Sequence, residues 1–525
     1  MTADPTIVSS VEESSRKPNI ILGGFTALAQ SAWMGFALAT DVLEQLRLAP
    51  AGIARRAQVI LPRIPRRLSL KGLLNREFSI AEASFILMAS FFLSAALGAV
   101  RQILFNARFG VSMEANAYYA AFRLPDTLFS LIAGGALSSA MIPVLLNVRR
   151  QEGDQAGWRL VSIVLTTLLA VFGLIILLVE IFTPLLVRRV LAPGFDDPTS
   201  QLTVSLTRIM LLQPLILLIG SAATAVLNSR NQFLLTGLSV VSHNIMLILS
   251  ILAVRLLPGL GIYGPTLGVF GGAVLQMLIL FPGLRGEGGR VHLLFDFGSQ
   301  RLREVVRLLI PSGLSVGVNY SGFIVDTAYA TRAQPAALAA IYNAFLLVGL
   351  PIALLGQAVG QASFPRLAAH AEAKNWLEMR RTLFRSLGAA IGLALPAAVA
   401  LIFLGRLVIR LLFERGEFTP AAGDLTYQVL VVYALGLPFY VATEVVTRGL
   451  IALRDTRTPL LTNTGQLILR IALLSILLAR FGAVSIPAAF AASAAVETVI
   501  LTTVLLVKLR RHLGRIMRVD YAGRS

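Results

Sequence analysis

The sequence contains no cysteine and little charge. Without cysteine there can be no disulfide, no thiolate metal site and no cysteine nucleophile. Charged residues make up only 14% of the 525 residues, whereas an ordinary soluble domain carries roughly 25%. Because a large soluble fold needs a charged surface, this shortfall excludes a string of soluble domains.

The common enzyme signatures are also missing. The sequence has no glycine-rich phosphate loop of the nucleotide-hydrolysing type and no HExxH motif of zinc proteases. The histidines are too scattered to build a metal site: His243, His292, His370 and His512. We therefore predict a protein that is not an enzyme and that uses no cofactor or metal. Any transport would be driven by an ion gradient, by the membrane potential or by the gradient of the substrate itself.

Long apolar runs dominate what is present. Hydrophobic residues make up 56% of the chain, and the mean hydropathy is +0.77. A membrane span takes about 20 mostly apolar residues. Twelve segments meet this requirement: 80–104, 117–146, 160–186, 203–227, 233–257, 262–284, 304–330, 336–363, 383–405, 424–452, 459–480 and 483–508. The sequence therefore predicts an all-α polytopic membrane protein with about twelve core transmembrane helices.

The net charge of +19 is distributed in short loops between the apolar runs. If the first span begins in the cytoplasm, the cytoplasmic side collects roughly 30 Lys and Arg against roughly 10 outside, as the positive-inside rule requires. We therefore expect both ends of the core, and the loops 147–159, 285–303 and 366–382, to be cytoplasmic. The basic stretches lack interleaved aromatic residues and any nucleic-acid-binding motif, so we expect no nucleic-acid partner.

Residues 1–78 stand apart as a basic extension. Residues 19–40 are uncharged and rich in glycine and alanine. They predict either an extra span or a helix lying in the membrane interface, and we favour the interfacial helix. A basic cluster follows: Arg47, Arg55, Arg56, Arg63, Arg66, Arg67, Lys71 and Arg76. Such a juxtamembrane cluster is typical of segments attracted to the anionic cytoplasmic leaflet.

An internal repeat divides the core. The stretch from Tyr119 to Leu145 recurs from Tyr342 to Leu367, and Leu227–Thr236 recurs as Leu453–Thr462. Both pairs are displaced by about 222–226 residues, which is six helices. Because six is even, the halves have the same orientation and form a parallel pseudo-two-fold repeat. We predict a six-helix lobe at 79–300, a second at 301–508 and a basic cytoplasmic tail at 509–525, with a substrate path between the lobes.

Ionisable residues inside the spans are the best pointers to function, because a charge in hydrocarbon is expensive unless a polar cavity receives it. The candidates are Arg101, Arg123, Glu180, Arg208, His243, Asp326, Glu444, Arg448, Arg470 and Glu497. Arg101 and Arg123 fit either a cavity or an interfacial position. Glu444 and Arg448, spaced i,i+4, fit either a local ion pair or substrate contact. Several arginines facing a cavity imply an anionic ligand, since a guanidinium group holds phosphate oxygens with two donors.

The order of motifs resembles the MurJ/MviN family of lipid II flippases, within the superfamily of multidrug, oligosaccharidyl-lipid and polysaccharide exporters. In the first half the resemblance rests on Leu97-Gly98 with Arg101, Phe109-Gly110, Ala121–Pro125, Gly135-Ala136, Pro143, Leu191–Phe195, Val226–Asn228, Phe233 and Asn244. In the second half it rests on Asp326, Phe364-Pro365, Leu412–Thr419, Arg448, Ala452, Asp455-Thr456 and Thr458-Pro459.

The resemblance implies two six-helix lobes around a central cationic cavity in a bacterial inner membrane. It implies that Arg101 and Arg123 line this cavity and meet a pyrophosphate, and that Asp326 lies near the place where some members bind sodium. Arg470 falls about where those members have a neutral polar ligand, and a fixed cation there would oppose sodium. The lining departs from the family pattern at Ala95, Asn116, Phe129, Gly134 and near Leu346.

We therefore predict a flippase for a lipid-linked peptidoglycan precursor carrying a polyprenyl pyrophosphate. The predicted substrate-binding residues are Arg101, Arg123, Asn116, Arg448 and Arg470, and the predicted ion-coupling residues are Asp326, Glu444 and Glu497. Membrane lipids and proteins of cell-wall synthesis are the expected partners. Two alternatives stay open: an efflux antiporter for small molecules, and a non-transporting membrane partner of the cell-wall machinery.

Overall fold

Long helices follow the apolar runs in the computed structural model, which describes residues 78–133, 136–284 and 291–522. The first half contains α1 Ile80–Phe109, α2 Met113–Ala133, α3 Ala136–Glu152, α4 Asp154–Leu186, α5 Asp197–Met210, α6 Gln213–Asn228, α7 Leu234–Leu256 and α8 Tyr263–Leu284. The second half contains α9 Gln300–Ala333, α10 Ala337–Pro351, α11 Ala358–Glu372, α12 Trp376–Leu412, α13 Pro420–Ala452, α14 Arg457–Phe481 and α15 Ser485–Ala522. The predicted interfacial helix and basic cluster lie outside the described residues.

These helices form twelve spanning segments within the described ranges. Nine stretches are long and apolar enough to cross a membrane, and one of them, Arg457–Arg511, contains both α14 and α15. The remaining two segments are α2 with α3, and α9. The predicted polytopic all-α fold is confirmed.

Polar caps and prolines shape the helices locally. At the start of α1, Ser79 and Glu82 form a reciprocal capping box, which satisfies two backbone N–H groups that have no partner inside the helix. Thr419 caps α13 through the N–H of Ala422 and is followed by Pro420, where a proline costs no hydrogen bond. Wide turns at Val187–Leu191 and Ile352–Gln357 follow Pro184 and Pro351, because proline removes a helical N–H.

The same helix contacts occur in both halves. In the first half α1 packs on α7, α6 packs on α8, and α7 packs on α8. Six segments later α9 packs on α14, α13 packs on α15, and α14 packs on α15. This correspondence confirms the two lobes and their parallel repeat. The boundary between residues 300 and 301 stays a prediction, and α15 continues past the predicted end at Lys508.

The two lobes meet where α2 faces α10. The rings of Tyr119 and Tyr342, which occupy equivalent places in the repeat, stack with centroids 4.3 Å apart. Beside them, Gln102 donates to the side chain of Asn343 at 2.9 Å, and Asn106 donates to the same oxygen at 2.8 Å. Since these side chains are buried, their hydrogen bonds form in a low dielectric and fix the relative position of the lobes at this level.

Candidate functional site

Three adjoining cavities run from the seam between the lobes into the second lobe. The first, here the aromatic cavity, measures about 30 Å³ and is lined by Arg101, Tyr119 and Tyr342. The second, the central cavity, measures about 230 Å³ and is lined by Arg123, Asp126 and Asp326. The third, the C-lobe chamber, measures about 620 Å³ and is lined by Glu444, Arg448, Arg470 and Glu497. Tyr342 borders the first two cavities, and Phe323 and Phe345 border the last two.

Arg101 is held by the fifth segment of its own lobe. Its Nη1 donates to Oδ1 of Asn244 on α7 at 3.3 Å, and the amide of Asn244 is fixed in turn by the Ser94 hydroxyl at 2.8 Å. The partner is neutral, so the guanidinium group keeps its full charge toward the aromatic cavity. At about 30 Å³ this cavity has room for only one or two water molecules, so a pyrophosphate does not fit beside Arg101 in this conformation.

Arg123 crosses the seam. Its Nε donates to the Thr327 hydroxyl on α9 at 3.2 Å, and its guanidinium carbon lies 5.3 Å from the ring centroid of Phe323 and 5.6 Å from that of Tyr342. These rings attract the cation without neutralising it. Asp126, which was not among the candidates from the sequence, lines the same cavity. Its position one helical turn after Arg123 was the available signal.

Asp326 and Arg470 form an ion pair between α9 and α14. Both are buried, with 7% and 5% of their surfaces exposed, and the Arg470 guanidinium carbon also lies 4.3 Å from the Phe490 ring centroid. Oδ1 of Asp326 and Nε of Arg470 have no hydrogen-bond partner among the described residues. The pair separates the central cavity from the C-lobe chamber, since each partner lines one of them.

The repeat relates this ion pair to the contact of Arg101. Asp326 follows Arg101 by 225 residues, and Arg470 follows Asn244 by 226, within the displacement of the repeated motifs. Each lobe therefore joins its first and fifth segments at the same level through one arginine. In the first lobe the arginine is on the first segment and its partner is neutral, whereas in the second it is on the fifth and its partner is an acid.

Comparisons with known proteins agree with this architecture. The sequence model of the family described as "Lipid II flippase MurJ" matches residues 105–523. The lipid II flippase MurJ of Burkholderia cenocepacia is 30% identical over 387 residues, covering 72% of this chain and 74% of the relative. The probable lipid II flippase MurJ of Rhizobium tropici is 30% identical over 368 residues, covering 69% of each. This chain belongs to the MurJ family.

Solved structures show the same fold. A lipid II flippase MurJ in an inward closed conformation superposes with a TM-score of 0.69 at 22% identity, covering 83% of this chain and 93% of that one. An inward-facing multidrug resistance MATE family transporter of the MOP superfamily also gives 0.69, at 13% identity, covering 82% of this chain and 99% of that one. The fold of a MurJ family member is therefore shared with drug exporters, and the lining residues have to distinguish their substrates.

Of the two alternatives for Glu444 and Arg448, the local ion pair is not formed. Among the described residues neither side chain has an oppositely charged group within the 4.0 Å of an ion pair, and Nε of Arg448 is buried without a hydrogen-bond partner. Both residues line the C-lobe chamber instead, opposite Glu497 on α15. Glu497 accepts a hydrogen bond from the Thr462 hydroxyl at 3.4 Å. The alternative of substrate or ion contact for these residues stays a prediction.

The side chain of Asn116 is fully hydrogen-bonded within the protein. Its Nδ2 donates to the carbonyls of Val111 and Ser112, and its Oδ1 accepts the backbone N–H of Ala339 at 2.9 Å. The side chain is 1% exposed and joins the start of α2 to the start of α10. With its donors and its acceptor engaged, Asn116 holds the lobes together here, and its predicted contact with substrate has no geometric support.

The other ionisable residues of the spans lie away from the three cavities. Glu180 and Arg208 form an ion pair of 3.5 Å between α4 and α5. His243 packs beside Gly272 on α8, which fits the packing role that an isolated intramembrane histidine usually has.

Proposed function

We propose that this protein flips a lipid-linked peptidoglycan precursor of the lipid II type from the cytoplasmic to the outer leaflet of a bacterial inner membrane. The observation that carries the proposal is the family match across residues 105–523. The relatives are named as lipid II flippases. Arg101 and Arg123 at the lobe seam supply the positive charge that a pyrophosphate requires.

The proposed orientation is supported by the basic loops, which favour a cytoplasmic position for both ends of the twelve-segment core. In this orientation the outer ends of the lobes are joined. The N–H of Glu417 donates to the carbonyl of Ala107 at 3.0 Å, and Gly110 and Gly416 allow this close approach because a β-carbon at either would collide with the opposing backbone. On the cytoplasmic side an exposed ion pair of 2.9 Å joins Arg301 to Glu152. The buried apolar cluster in which Leu302 and Val305 of α9 pack against α3 and α4 also closes this side. Opening toward the cytoplasm therefore has to separate that cluster as well as this weak exposed pair.

The mechanism is alternating access. The headgroup enters from the cytoplasmic leaflet between α2 and α9 while the polyprenyl tail stays in lipid, and the pyrophosphate meets Arg101 and Arg123. Neither arginine has to break an ion pair first, because their partners are Asn244, Thr327 and aromatic rings. Separation of Tyr119 from Tyr342 then opens the outer side.

The proposal is tested with purified protein in liposomes that contain lipid II, beside other polyprenyl-linked sugars. We expect Arg101→Ala to lower the flipping rate at least about tenfold, which is a loss of about 1.4 kcal/mol of transition-state stabilisation. Arg208→Ala is the matched control, because Arg208 is an intramembrane arginine outside the cavities and should leave flipping unchanged. Unchanged flipping in Arg101→Ala removes Arg101 from the mechanism. Export of cationic dyes without flipping would favour the efflux antiporter, and neither activity would favour the non-transporting partner.

A further inference from the structure

Two carboxylates of the C-lobe chamber lie deep in the membrane. Glu444 stands eight residues before the end of α13, or about 12 Å from it, and Glu497 stands twelve residues after the start of α15, or about 18 Å from it, at 1.5 Å per residue. Both side chains are partly buried, and both line the same chamber. Two ionised carboxylates at this depth are expensive.

The cations of the chamber do not neutralise this pair. The Arg470 guanidinium is already paired with Asp326. Arg448 lines the chamber, but among the described residues it lies within ion-pair distance of neither glutamate. At the cytoplasmic rim Lys508 is paired with Asp455. With every group ionised, the chamber and its wall contain three carboxylates against the guanidinium groups of Arg448 and Arg470. One negative charge is therefore left without compensation.

A bound proton compensates this charge at the lowest cost, because a carboxylate deep in the membrane that faces a second carboxylate across one chamber is stabilised by protonation. A metal cation is less suited, since it would need several oxygen ligands in a chamber that already contains two guanidinium groups. The Thr462 hydroxyl beside Glu497 donates to the ionised form and can accept from the protonated form by rotating. The site therefore tolerates both states of the glutamate.

We infer that Glu444 and Glu497 form a proton-binding pair, and that the chain exchanges inward-moving protons for the outward-moving lipid headgroup. The inference rests on the proposed function for the coupling, but not for the proton binding itself. Binding converts one carboxylate and one proton into a carboxylic acid, and release reverses this with no other reactant. Thr456, in the turn between α13 and α14, also lines the chamber, so the chamber reaches the end of these helices that is cytoplasmic in the proposed orientation.

The chamber is placed so that its charge can affect the seam. Arg470 and Phe345 lie in its wall, and beyond them the central cavity contains Asp326 and Arg123. A proton gained or lost at the glutamate pair changes the field on the ion pair of Asp326 and Arg470. This pair holds α9, which also contacts Arg123 through Thr327. Proton occupancy thereby acts on the helix that closes the seam.

Proton binding is tested directly by infrared spectroscopy of the purified protein while the pH is varied. We expect the band of a protonated carboxyl group to titrate in the wild type and to be reduced in Glu497→Gln and in Glu444→Gln. Glu180→Gln is the matched control, since Glu180 is an intramembrane glutamate paired with Arg208, and should leave the band unchanged. Asp326→Asn identifies any contribution of that acid. No titrating band, or a band unchanged in both chamber variants, overturns the inference whether or not lipid II is flipped.

Coupling is tested in liposomes with lipid II and a pH-sensitive dye. A pH difference of one unit should shift the leaflet distribution of lipid II about tenfold for one exchanged proton. Glu497→Gln should abolish both this shift and the proton movement, while Glu180→Gln should retain them. If the leaflet distribution of lipid II does not change with the pH difference but changes with a sodium gradient, the inferred coupling to protons is wrong. Absence of any wild-type flipping, with the infrared titration intact, contradicts the proposed function and leaves the proton site standing.

Discussion

The two lobes make equivalent contacts between their first and fifth segments, but with side chains of different charge. In both, an arginine joins the first and fifth segments at equivalent levels of the repeat. The first lobe pairs Arg101 with a neutral amide, so a positive charge faces the seam. The second lobe pairs Arg470 with Asp326, so the charges cancel within the wall. The two halves of the repeat therefore share where these helices touch but not the charge of the partner. In the proposed mechanism this asymmetry distinguishes a lobe that meets the substrate from a lobe that binds protons.

The same contrast occurs at the turn between the fourth and fifth segments. Ser229 in the first lobe accepts a hydrogen bond from Arg149 at 3.2 Å. Its equivalent 226 residues later is Asp455, which forms an ion pair with Lys508. At this turn the first lobe therefore has a neutral hydroxyl where the second has an acid, although Arg149 also pairs with Asp154 of α4 at 3.6 Å.

The largest effect is expected at the buried ion pair. Asp326→Ala should lower the free energy of unfolding by about 3–5 kcal/mol, because Arg470 is then a buried charge without a partner. The double variant Asp326→Leu with Arg470→Leu should be less destabilised than Asp326→Ala, since no charge is left buried. Thermal and denaturant unfolding in detergent measure both. A double variant as unstable as the sum of the two single Leu variants would mean that the groups are not coupled.

A smaller effect is expected at the equivalent contact of the first lobe. Asn244→Leu should cost about 1.5–3 kcal/mol, the usual value of a hydrogen bond to a charged group. The cost is lower than for Asp326 because Arg101 is only partly buried and can be hydrated. Ser94→Ala is the control: it removes a neutral bond to Asn244 but leaves that of Arg101, and should cost about 0.5–1.5 kcal/mol. A loss in Asn244→Leu equal to that of Asp326→Ala would refute the contrast between the lobes.

The smallest effect is expected at the turn, and it depends on pH. Burial by itself raises the pKa of the Asp455 carboxyl, but hydrogen bonds from Lys508 and Thr458 outweigh this and lower the pKa from 3.8 to about 2. A lowered pKa in the folded state stabilises the protein above about pH 4, and this stabilisation is lost as the pH falls toward 2. Asp455→Asn should therefore be less stable than the wild type by about 1 kcal/mol or less at pH 7.

The difference should vanish between pH 4 and pH 2, measured as the unfolding midpoint in detergent. Ser229→Ala, at the equivalent turn, is the control and should show no pH-dependent difference from the wild type. A difference for Asp455→Asn that persists at pH 2 would contradict the pKa of Asp455.

Much of the fold could be predicted, because its causes are local. Each span is an apolar run of sufficient length, and the twelve predicted runs correspond to the twelve spanning segments of the described residues. The weaker prediction concerned side-chain partners. The i,i+4 spacing of Glu444 and Arg448 suggested a local pair, but neighbouring helices turn both side chains into the chamber without bringing them together. Asp126 escaped notice because its partner cavity is formed by α9 and α10, far along the chain.

By itself the sequence determined the number of spans, their repeat and the depth at which each charged residue lies. Only the tertiary structure decided that Arg470 is paired with Asp326 while Arg101 and Arg123 have neutral hydrogen-bond partners. It also decided that Tyr342, Phe323 and Phe345 divide the polar space into three cavities, and that Asn116 is engaged between the lobes. The reason is physical: hydropathy acts along one helix, whereas the partner of a buried charge depends on the rotation and level of helices more than 140 residues apart in the chain.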